Sequence, residues 1–368
     1  MIIFNALQTS LSGGIGRYSY ELAKALYLQN EISIKIVIRE QDRNNFNYVH
    51  NNDDLIVLKG ITNSIQRNFY EQFKLPKYIY KKYPNAIIHY PDSMAPINSK
   101  NKIIITIHDL AFLSRSQDFT KKTVIWKKVI TNISVKKANK IICITNFAKS
   151  EIKKYYPDVV NKTAVVYNGF NDFSHDTIQD NMVSNKIRQY LSMPYILTVS
   201  TISPRKNIDG LIKAFDRIKD KIPHKLIIAG NNGWKYEEVY KLIKKNNLKG
   251  RVFFTGKVND EELKTLYKNS ELFVYPSFYE GFGLPPLEAM SYGVPCIASQ
   301  TSSIPEVLQE AAIYINPYSI EDLADKLLMS TKKDINIIEL KDKGYARTKC
   351  FSWEKCARET FEVYRTIL

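Results

Sequence analysis

Tyr275-Pro276-Ser277-Phe278-Tyr279-Glu280-Gly281-Phe282-Gly283-Leu284-Pro285-Pro286-Leu287-Glu288-Ala289-Met290 is the stretch from which the architecture is read. It continues directly from the apolar run 272–275, so it reads as a strand, a glycine loop and the opening of a helix. Gly281 and Gly283 let a backbone come close to a ligand, and Pro285 and Pro286 suit a first helical turn, where amide donors lack partners. Such a loop is an anion site at the carboxyl edge of an open parallel sheet.

Working outward, the same alternation of short apolar runs and helix-like spacers fills both halves of the chain. Runs fall at 2–5, 32–38, 86–89, 103–107, 140–144 and 163–166, and again at 195–199, 225–229, 252–255, 272–275, 295–298 and 312–315. Continuous apolar strands separated by helices predict a parallel sheet covered on both faces. The pattern stops near Asn168-Gly169, and 171–184 is polar, acidic and turn-rich, as expected of an interdomain connection. The fold class is therefore α/β, with two doubly wound Rossmann-like parallel-sheet domains at 1–170 and 193–350 joined by a linker at 171–192. A C-terminal helix at 351–368, with Ala357, Phe361 and Tyr364 on one stripe, is a candidate to return to the N-terminal domain.

Composition agrees with two ordinary cores: 368 residues, 44% hydrophobic and 24% charged, at about 100 to 200 residues per domain. The formal charge of +16, from 53 Lys plus Arg against 37 Asp plus Glu, sets up a field that attracts phosphate-rich partners. The four cysteines form no C-x-x-C pair, and Cys143, Cys296 and Cys350 lie in or beside apolar or aromatic runs expected to be core, which points to a reducing compartment without a zinc site. The amino terminus lacks the basic and apolar regions of a signal peptide, so a cytoplasmic location is expected. Apolar runs of about five residues fall far short of the roughly 20 that cross a bilayer, so any membrane contact is expected to be peripheral.

Several positions could carry chemistry. Glu280 in the loop and Glu288 about one turn into the helix flank an amide-rich anion site, which suits a ligand with hydroxyls near both ends and phosphate between, a sugar nucleotide; alternatively Glu288 complements a helix dipole and Glu280 is a solvated turn residue. Val199-Ser200-Thr201-Ile202-Ser203-Pro204-Arg205-Lys206-Asn207 places two cations after another strand, where they could neutralise a diphosphate leaving group or form a solvated basic turn. Ser12-Gly13-Gly14-Ile15-Gly16 is a glycine loop at a helix start or a bare turn. His108-Asp109 ends the run 103–107, and histidine there is either a proton-exchanging group or a structural one. The segment 121–154 holds ten lysines and one acid, Glu151, with Trp126, Val129, Ile130 and Ile133 at helical spacing, a pattern shared by membrane-surface helices and by core-facing ones with a solvated lysine face.

The glutamate pair with Gly281-Phe282-Gly283-Leu284-Pro285 between resembles the signature of family 4 retaining glycosyltransferases of the GT-B fold. Pro276-Ser277, Glu288-Ala289-Met290, Gly293-Val294-Pro295-Cys296-Ile297 and Ser303-Ile304-Pro305-Glu306-Val307 follow in that family's order. The resemblance implies two Rossmann-like domains facing a central cleft, the first binding acceptor and the second a nucleotide-sugar donor. It implies catalytic roles for His108, Arg205, Lys206 and Glu280, with Glu280 on the donor-sugar hydroxyls and Arg205 and Lys206 on the diphosphate. Glu288 would hold the ribose, the amides of Phe282, Gly283 and Leu284 the sugar and phosphate, and Gly14 would face the donor phosphate. Asp109 would orient His108 or touch the acceptor. Many members carry Gly-Arg where this chain has Ser200-Thr201, so Arg205 is expected to stand in for the missing arginine.

Pro204-Arg205-Lys206-Asn207 and Gly230-Asn231-Asn232-Gly233-Trp234 resemble a subgroup of bacterial mannosyltransferases acting on surface polysaccharides, lipopolysaccharide O-antigen or capsule. That implies GDP-mannose as donor, with rhamnosyl, fucosyl and glucosyl donors as alternatives, a glycan or polyprenyl-diphosphate-linked acceptor, and no resident cofactor. Similar transferases use a basic, aromatic patch like 121–154 to reach lipid-linked acceptors on an anionic membrane. No Asp-x-Asp triplet occurs, so metal independence is expected, with Arg205, Lys206 and helix-terminal amides neutralising charge. Two rivals fit less well. A nicotinamide-binding Rossmann fold needs its glycines immediately after the first strand, and here they come eight residues beyond Asn5. A nucleic-acid binder would explain pI 9.4 and 24 tyrosines, but no recognition motif accompanies the charge, so no nucleic-acid partner is expected.

Overall fold

The computed structural model describes residues 1–8, 13–332 and 336–368, so Ser12 of the glycine loop lies outside the described residues. The chain divides into two compact units, Met1–Gly169 with Phe351–Leu368, and Phe170–Cys350.

In the first unit seven strands form one wholly parallel sheet: β1 Ile2–Asn5, β2 Ile34–Arg39, β3 Leu55–Leu58, β4 Ile87–Tyr90, β5 Ile103–Ile107, β6 Lys140–Cys143 and β7 Thr163–Val165. Their order is β3-β2-β1-β4-β5-β6-β7, so strand order reverses between β1 and β4. The helices are α1 Gly14–Gln29, α2 Ser64–Phe69, α3 Leu75–Lys82, α4 Ala111–Ser114, α5 Lys121–Lys137 and α6 Asn146–Tyr155; one π-helical turn, Tyr70–Lys74, joins α2 to α3. The central strands are isoleucine-rich because helices cover both faces: β1, β4 and β5 are buried at every position. The edge strand β3 has only Ile56 fully buried, and it is missing from the expected runs although its four residues, Leu55-Ile56-Val57-Leu58, are all apolar.

In the second unit six parallel strands, β8 Tyr195–Val199, β9 Lys225–Ala229, β10 Val252–Gly256, β11 Leu272–Tyr275, β12 Cys296–Ser299 and β13 Ala312–Ile315, are ordered β10-β9-β8-β11-β12-β13. The reversal here falls between β8 and β11. The helices are α7 Asn185–Arg188, α8 Ile208–Ile218, α9 Glu237–Lys245, α10 Asp260–Asn269, α11 Leu284–Ser291, α12 Ile304–Leu308, α13 Ile320–Thr331 and α14 Ile337–Thr348. The stretch expected to be a free linker, 171–192, belongs to this unit. The Glu261 carboxylate accepts from the Gln179 amide at 2.8 Å, that of Glu262 from Ser184 at 3.3 Å, and Lys264 pairs with Asp176 at 2.8 Å.

The last helix, α15 Trp353–Arg365, closes the first unit. Ala357, Phe361 and Tyr364 are buried as the stripe predicts, and Trp353 leaves no room for a side chain at residue 169, where a Cβ would lie 2.4 Å from its ring. Tyr364 reaches His89 on β4: its hydroxyl lies 2.6 Å from Nδ1, while Nε2 lies 2.8 Å from Thr106 Oγ1, itself 3.1 Å from the Tyr18 hydroxyl. Burial first, and His108 second, push the His89 imidazole down to about 3, so it is neutral. The cysteine expectation needs correcting: Cys143 and Cys296 are buried, but Cys350 is exposed at the end of α14 and it is Cys356, facing inward from α15, that is core.

Candidate active site

The carboxyl end of β11 delivers Tyr275 and then the loop to Glu280; the carboxyl end of β8 delivers the turn Pro204–Lys206. The two neighbouring strands flank the reversal of strand order, where open α/β sheets bind ligands. The sequence keeps these loops in place by specific means. Asn207 adopts φ +55° at the start of α8 and its buried side-chain amide donates to the carbonyls of Pro276 at 3.1 Å and Pro317 at 2.9 Å. The Phe278 amide donates to the Arg205 carbonyl at 2.9 Å, tying one loop to the other. Ser302 Oγ accepts from the Glu280 amide at 2.9 Å, and Ser303 Oγ donates to the Glu280 carbonyl at 2.9 Å.

On this frame three charges meet. Arg205 Nη1 donates to Glu280 Oε2 at 3.0 Å and to the Tyr279 carbonyl at 2.5 Å; Lys206 Nζ donates to Glu280 Oε1 at 2.5 Å and to the Tyr275 hydroxyl at 3.1 Å. Burial alone would raise the Glu280 carboxyl, but Lys206 and Arg205 outweigh it and bring it down to about 2. The two cations and one carboxylate leave the triad at +1. Glu280 is thus not a solvated turn residue, and it is buried. Its oxygens hold the two cations together as well as offering lone pairs to a ligand. Arg205 and Lys206 divide their work visibly: arginine grips loop backbone and carboxylate, lysine grips carboxylate and a tyrosine.

Gly283 takes φ +96° at the start of α11, a conformation glycine adopts without strain, and a Cβ there would lie 3.6 Å from Tyr275. The amides of Gly283 and Leu284 open the helix with no intrahelical acceptor, and Pro285 and Pro286 occupy its first turn, adding no donors. Phe282 precedes them and is buried. Glu288 is buried too, its Oε2 accepting from the Tyr267 hydroxyl at 2.8 Å, and Tyr267 stacks on Tyr292. Tyr267, Tyr275, Ser302 and Asn207 went unremarked in the sequence as site residues: each acts by holding a charged group or loop, and nothing in its local pattern marks that. Next to the Arg205 turn, Ser200 and Thr201 lie against Gly230 and Gly233, where a Cβ would approach Ser200 O to 2.1 Å and Thr201 Cγ2 to 2.7 Å.

In the first unit, His108 and Asp109 follow β5 as expected. His108 Nε2 lies 2.9 Å from the Pro91 carbonyl, which can only accept, so Nε2 carries the hydrogen and the neutral ring keeps its Nδ1 lone pair. Burial dominates and lowers its basicity although Asp92 and Asp109 oppose the shift. Tyr18 packs edge-on against the ring at 4.7 Å. Asp109 Oδ1 accepts from the Ala111 amide at 3.0 Å, a bond that shapes the turn into α4, whereas the Pro91 carbonyl orients the imidazole. Gly14 is the first residue of α1 and is exposed, and an added Cβ would meet nothing within 4 Å, so the fold itself does not require glycine there.

The basic segment 121–154 is two helices, α5 and α6, with β6 between them. Of its predicted stripe only Ile130 is fully buried; Trp126 and Val129 are 48% and 50% exposed, with Ile125 at 64%. The buried face of α5 is Ile130, Thr131, Ser134 and Val135 instead. Among the described residues, no helix is long and apolar enough to cross a membrane.

Comparison with known proteins matches this division of the chain. Residues 12–172 fit the family model described as Glycosyltransferase Family 4, and residues 182–342 fit that described as Glycosyl transferases group 1. The chain is 29% identical to the O-antigen chain mannosyltransferase B of Escherichia coli over 96% of both chains. It is 32% identical to the O-antigen chain mannosyltransferase RfbU of Salmonella typhimurium over 58% of this chain and 56% of that one. The crystal structure of Anabaena HepE in complex with UDP-glucose superimposes with a TM-score of 0.76 at 17% identity, covering 100% of this chain and 99% of that one. Two parallel-sheet units, each answering to its own half of one enzyme family, make the assignment: this chain belongs to the family 4 glycosyltransferases and has the GT-B fold.

Proposed function

We propose that this glycosyltransferase moves mannose from GDP-mannose, with retention of anomeric configuration, to the terminal sugar of a lipid-linked glycan in O-antigen assembly. The observation that carries the reading is the Arg205–Glu280–Lys206 triad at the strand-order reversal of the second unit, beside the amide-rich start of α11. A +1 cluster beside amides that have no intrahelical acceptor suits a pyrophosphate whose charge grows as the glycosidic bond breaks. The relatives named O-antigen chain mannosyltransferase in Escherichia coli and Salmonella typhimurium favour mannose and that pathway.

In the proposed reaction the acceptor hydroxyl attacks C1 of the donor sugar on the face from which the nucleoside diphosphate departs. The bond from C1 to the phosphate oxygen breaks with both electrons going to that oxygen, and the hydroxyl proton passes to a phosphate oxygen. No protein nucleophile takes part. Lys206 and Arg205 stabilise the departing charge, Glu280 fixes both cations and accepts a donor-sugar hydroxyl, Glu288 accepts from the ribose, and His108 lends its Nδ1 lone pair. Arg205 and Lys206 fill the role a divalent ion has in other transferases, so turnover is expected to survive EDTA. The exposed Ile125, Trp126 and Val129, set among the exposed Lys121, Lys122 and Lys128, favour an anionic membrane surface as the place where the lipid-linked acceptor is met.

Purified protein offered GDP-mannose, UDP-glucose, dTDP-rhamnose and GDP-fucose should be thermally stabilised by GDP-mannose most and should hydrolyse it slowly without acceptor. An inverted anomeric centre in the product glycoside, read by NMR coupling constants, overturns the mechanism, and preference for another donor overturns the sugar assignment.

A further inference from the structure

The reversal of strand order in the first unit has a polar cluster of its own that the reaction above leaves unused. Asn5 ends β1 and Tyr90 ends β4; the register of these two strands runs to Phe4 beside His89, one residue short of the Asn5 and Tyr90 positions. Over this point lies the π-helical turn Tyr70–Lys74, and π turns interrupt helices chiefly at functional positions. The turn carries Glu71, whose Oε1 accepts from Asn5 Nδ2 at 2.7 Å and whose Oε2 faces Arg67 Nε at 3.5 Å. The side chains of Arg67 and Glu71 keep 17% and 19% of their surface exposed.

One buried polar atom at this point makes no hydrogen bond among the described residues, the Tyr90 hydroxyl, on a residue 1% exposed, while Arg67 Nε has only its 3.5 Å ion pair with Glu71. Buried polar groups are normally paired, so such an orphan marks a place where a partner is missing. Their chemistry is complementary. Glu71 has acceptor capacity beyond its bond to Asn5, Arg67 Nε can only donate, and the tyrosine hydroxyl does both. A sugar hydroxyl is a donor and acceptor together, and a vicinal pair meets one carboxylate and one donor at once.

We infer that Asn5, Arg67, Glu71 and Tyr90 form a subsite for the vicinal hydroxyls of a neutral hexopyranoside, the terminal sugar of the acceptor. This inference rests on the glycosyltransferase reading for its role and on the first unit's own geometry for its place. Glu71 is the group that recognises and orients; it moves no proton in the transfer. Burial, with Asp92 beyond β4 adding like charge, raises its carboxyl to about 7 in spite of Arg67 and Asn5. The other titratable group facing the cluster is Tyr90, held neutral by burial and by Glu71. A hydroxyl donating to Glu71 favours the carboxylate, so acceptor affinity should rise as pH passes 7.

The test uses full-length protein and methyl α-mannopyranoside as the probe, with binding read by saturation-transfer NMR and by competition against transfer. Glu71→Gln should weaken probe binding at least tenfold and abolish its rise with pH, while GDP binding and acceptor-free hydrolysis of the donor stay within twofold of wild type. Tyr90→Phe is the second variant: it removes an unpartnered oxygen, so it should keep the thermal stability of the wild type yet weaken the probe about threefold. No saturation transfer to the wild type, or equal transfer to the wild type and both variants, overturns the subsite. Wild-type protein that binds the probe but hydrolyses no nucleotide sugar would leave the subsite standing and remove the enzymatic reading instead.

Discussion

At the strand-order reversal of the second sheet, Glu280 is clasped by two cations at 2.5 and 3.0 Å; at that of the first, Glu71 has one amide at 2.7 Å and one arginine at 3.5 Å. Both carboxylates lose solvation to a similar setting in the same kind of sheet, yet one is brought down to about 2 and the other raised to about 7. The difference lies in the number and closeness of the cations. A doubly wound sheet supplies the location, and the loops decide whether that location is charged, as proposed for pyrophosphate, or close to neutral, as proposed for hydroxyls.

Breaking the charged half of the comparison should have the largest effect. Lys206→Ala and Glu280→Ala are each expected to lower turnover by about two to four orders of magnitude, since the first removes preorganised positive charge where the proposed leaving group develops its negative charge and the second releases the two cations from their fixed positions; steady-state transfer and donor hydrolysis measure it. Normal rates in both variants would mean that the triad serves the fold alone.

The pH behaviour of stability sharpens the contrast, because the two signs are opposite. Glu280 has a folded value below the ordinary carboxyl value, so its contribution is present above about pH 4.5 and is lost as pH falls toward 2. Glu71 has a folded value above it, so its contribution is present below about pH 4.5 and is lost as pH rises through 7. Urea titrations of wild type and Glu71→Gln should therefore diverge between pH 4.5 and 8 in favour of glutamine, by about 2–3 kcal/mol. Parallel curves would show that Glu71 is ionised at no cost.

Away from the sheet edges, Tyr364→Phe takes a hydrogen bond from the neutral His89 and is expected to cost the first unit about 1–3 kcal/mol, read as a lower midpoint in thermal unfolding. The smallest effect belongs to the surface of α5: each exposed lysine changed to glutamine should reduce sedimentation with phosphatidylglycerol vesicles by a few-fold, from about 1 kcal/mol per cation, and Trp126→Ala should act in the same direction. Binding that ignores these changes removes the membrane reading without touching the chemistry.

All six strands of the second unit are legible as runs of apolar residues, because a strand buried on both faces has no room for a polar alternative. The edge strand Leu55–Leu58, in which only Ile56 is fully buried, is also a continuous apolar run, so it is legible on the same ground and is missing from the expected runs. Glu280, Arg205, Lys206 and His108 stand out because each follows an apolar strand run, and Glu288 because it stands eight residues after Glu280 in the quoted motif. Their convergence is only partly so: that Glu280 binds both cations depends on β8 and β11 being neighbours, which sequence order conceals. Glu71 is invisible for the same reason, since 66 residues separate it from Asn5 and its helix looks like any other. Trp126 and Val129 have the spacing of a core stripe, and the helix rotates to bury Thr131 and Ser134 in their place because Ser134 can satisfy itself on the Ile130 carbonyl.

The first unit takes its last helix from beyond the second. During synthesis the second sheet has all its strands once residue 315 has emerged, whereas the first must wait for α15, with the notch around His89 and Trp353's seat at Gly169 standing open meanwhile. The ribosome thus completes the later half of this enzyme before the earlier one, and a nascent chain stalled short of Trp353 would present a finished second unit tethered to an unsealed first, the form that quality-control proteases would meet first.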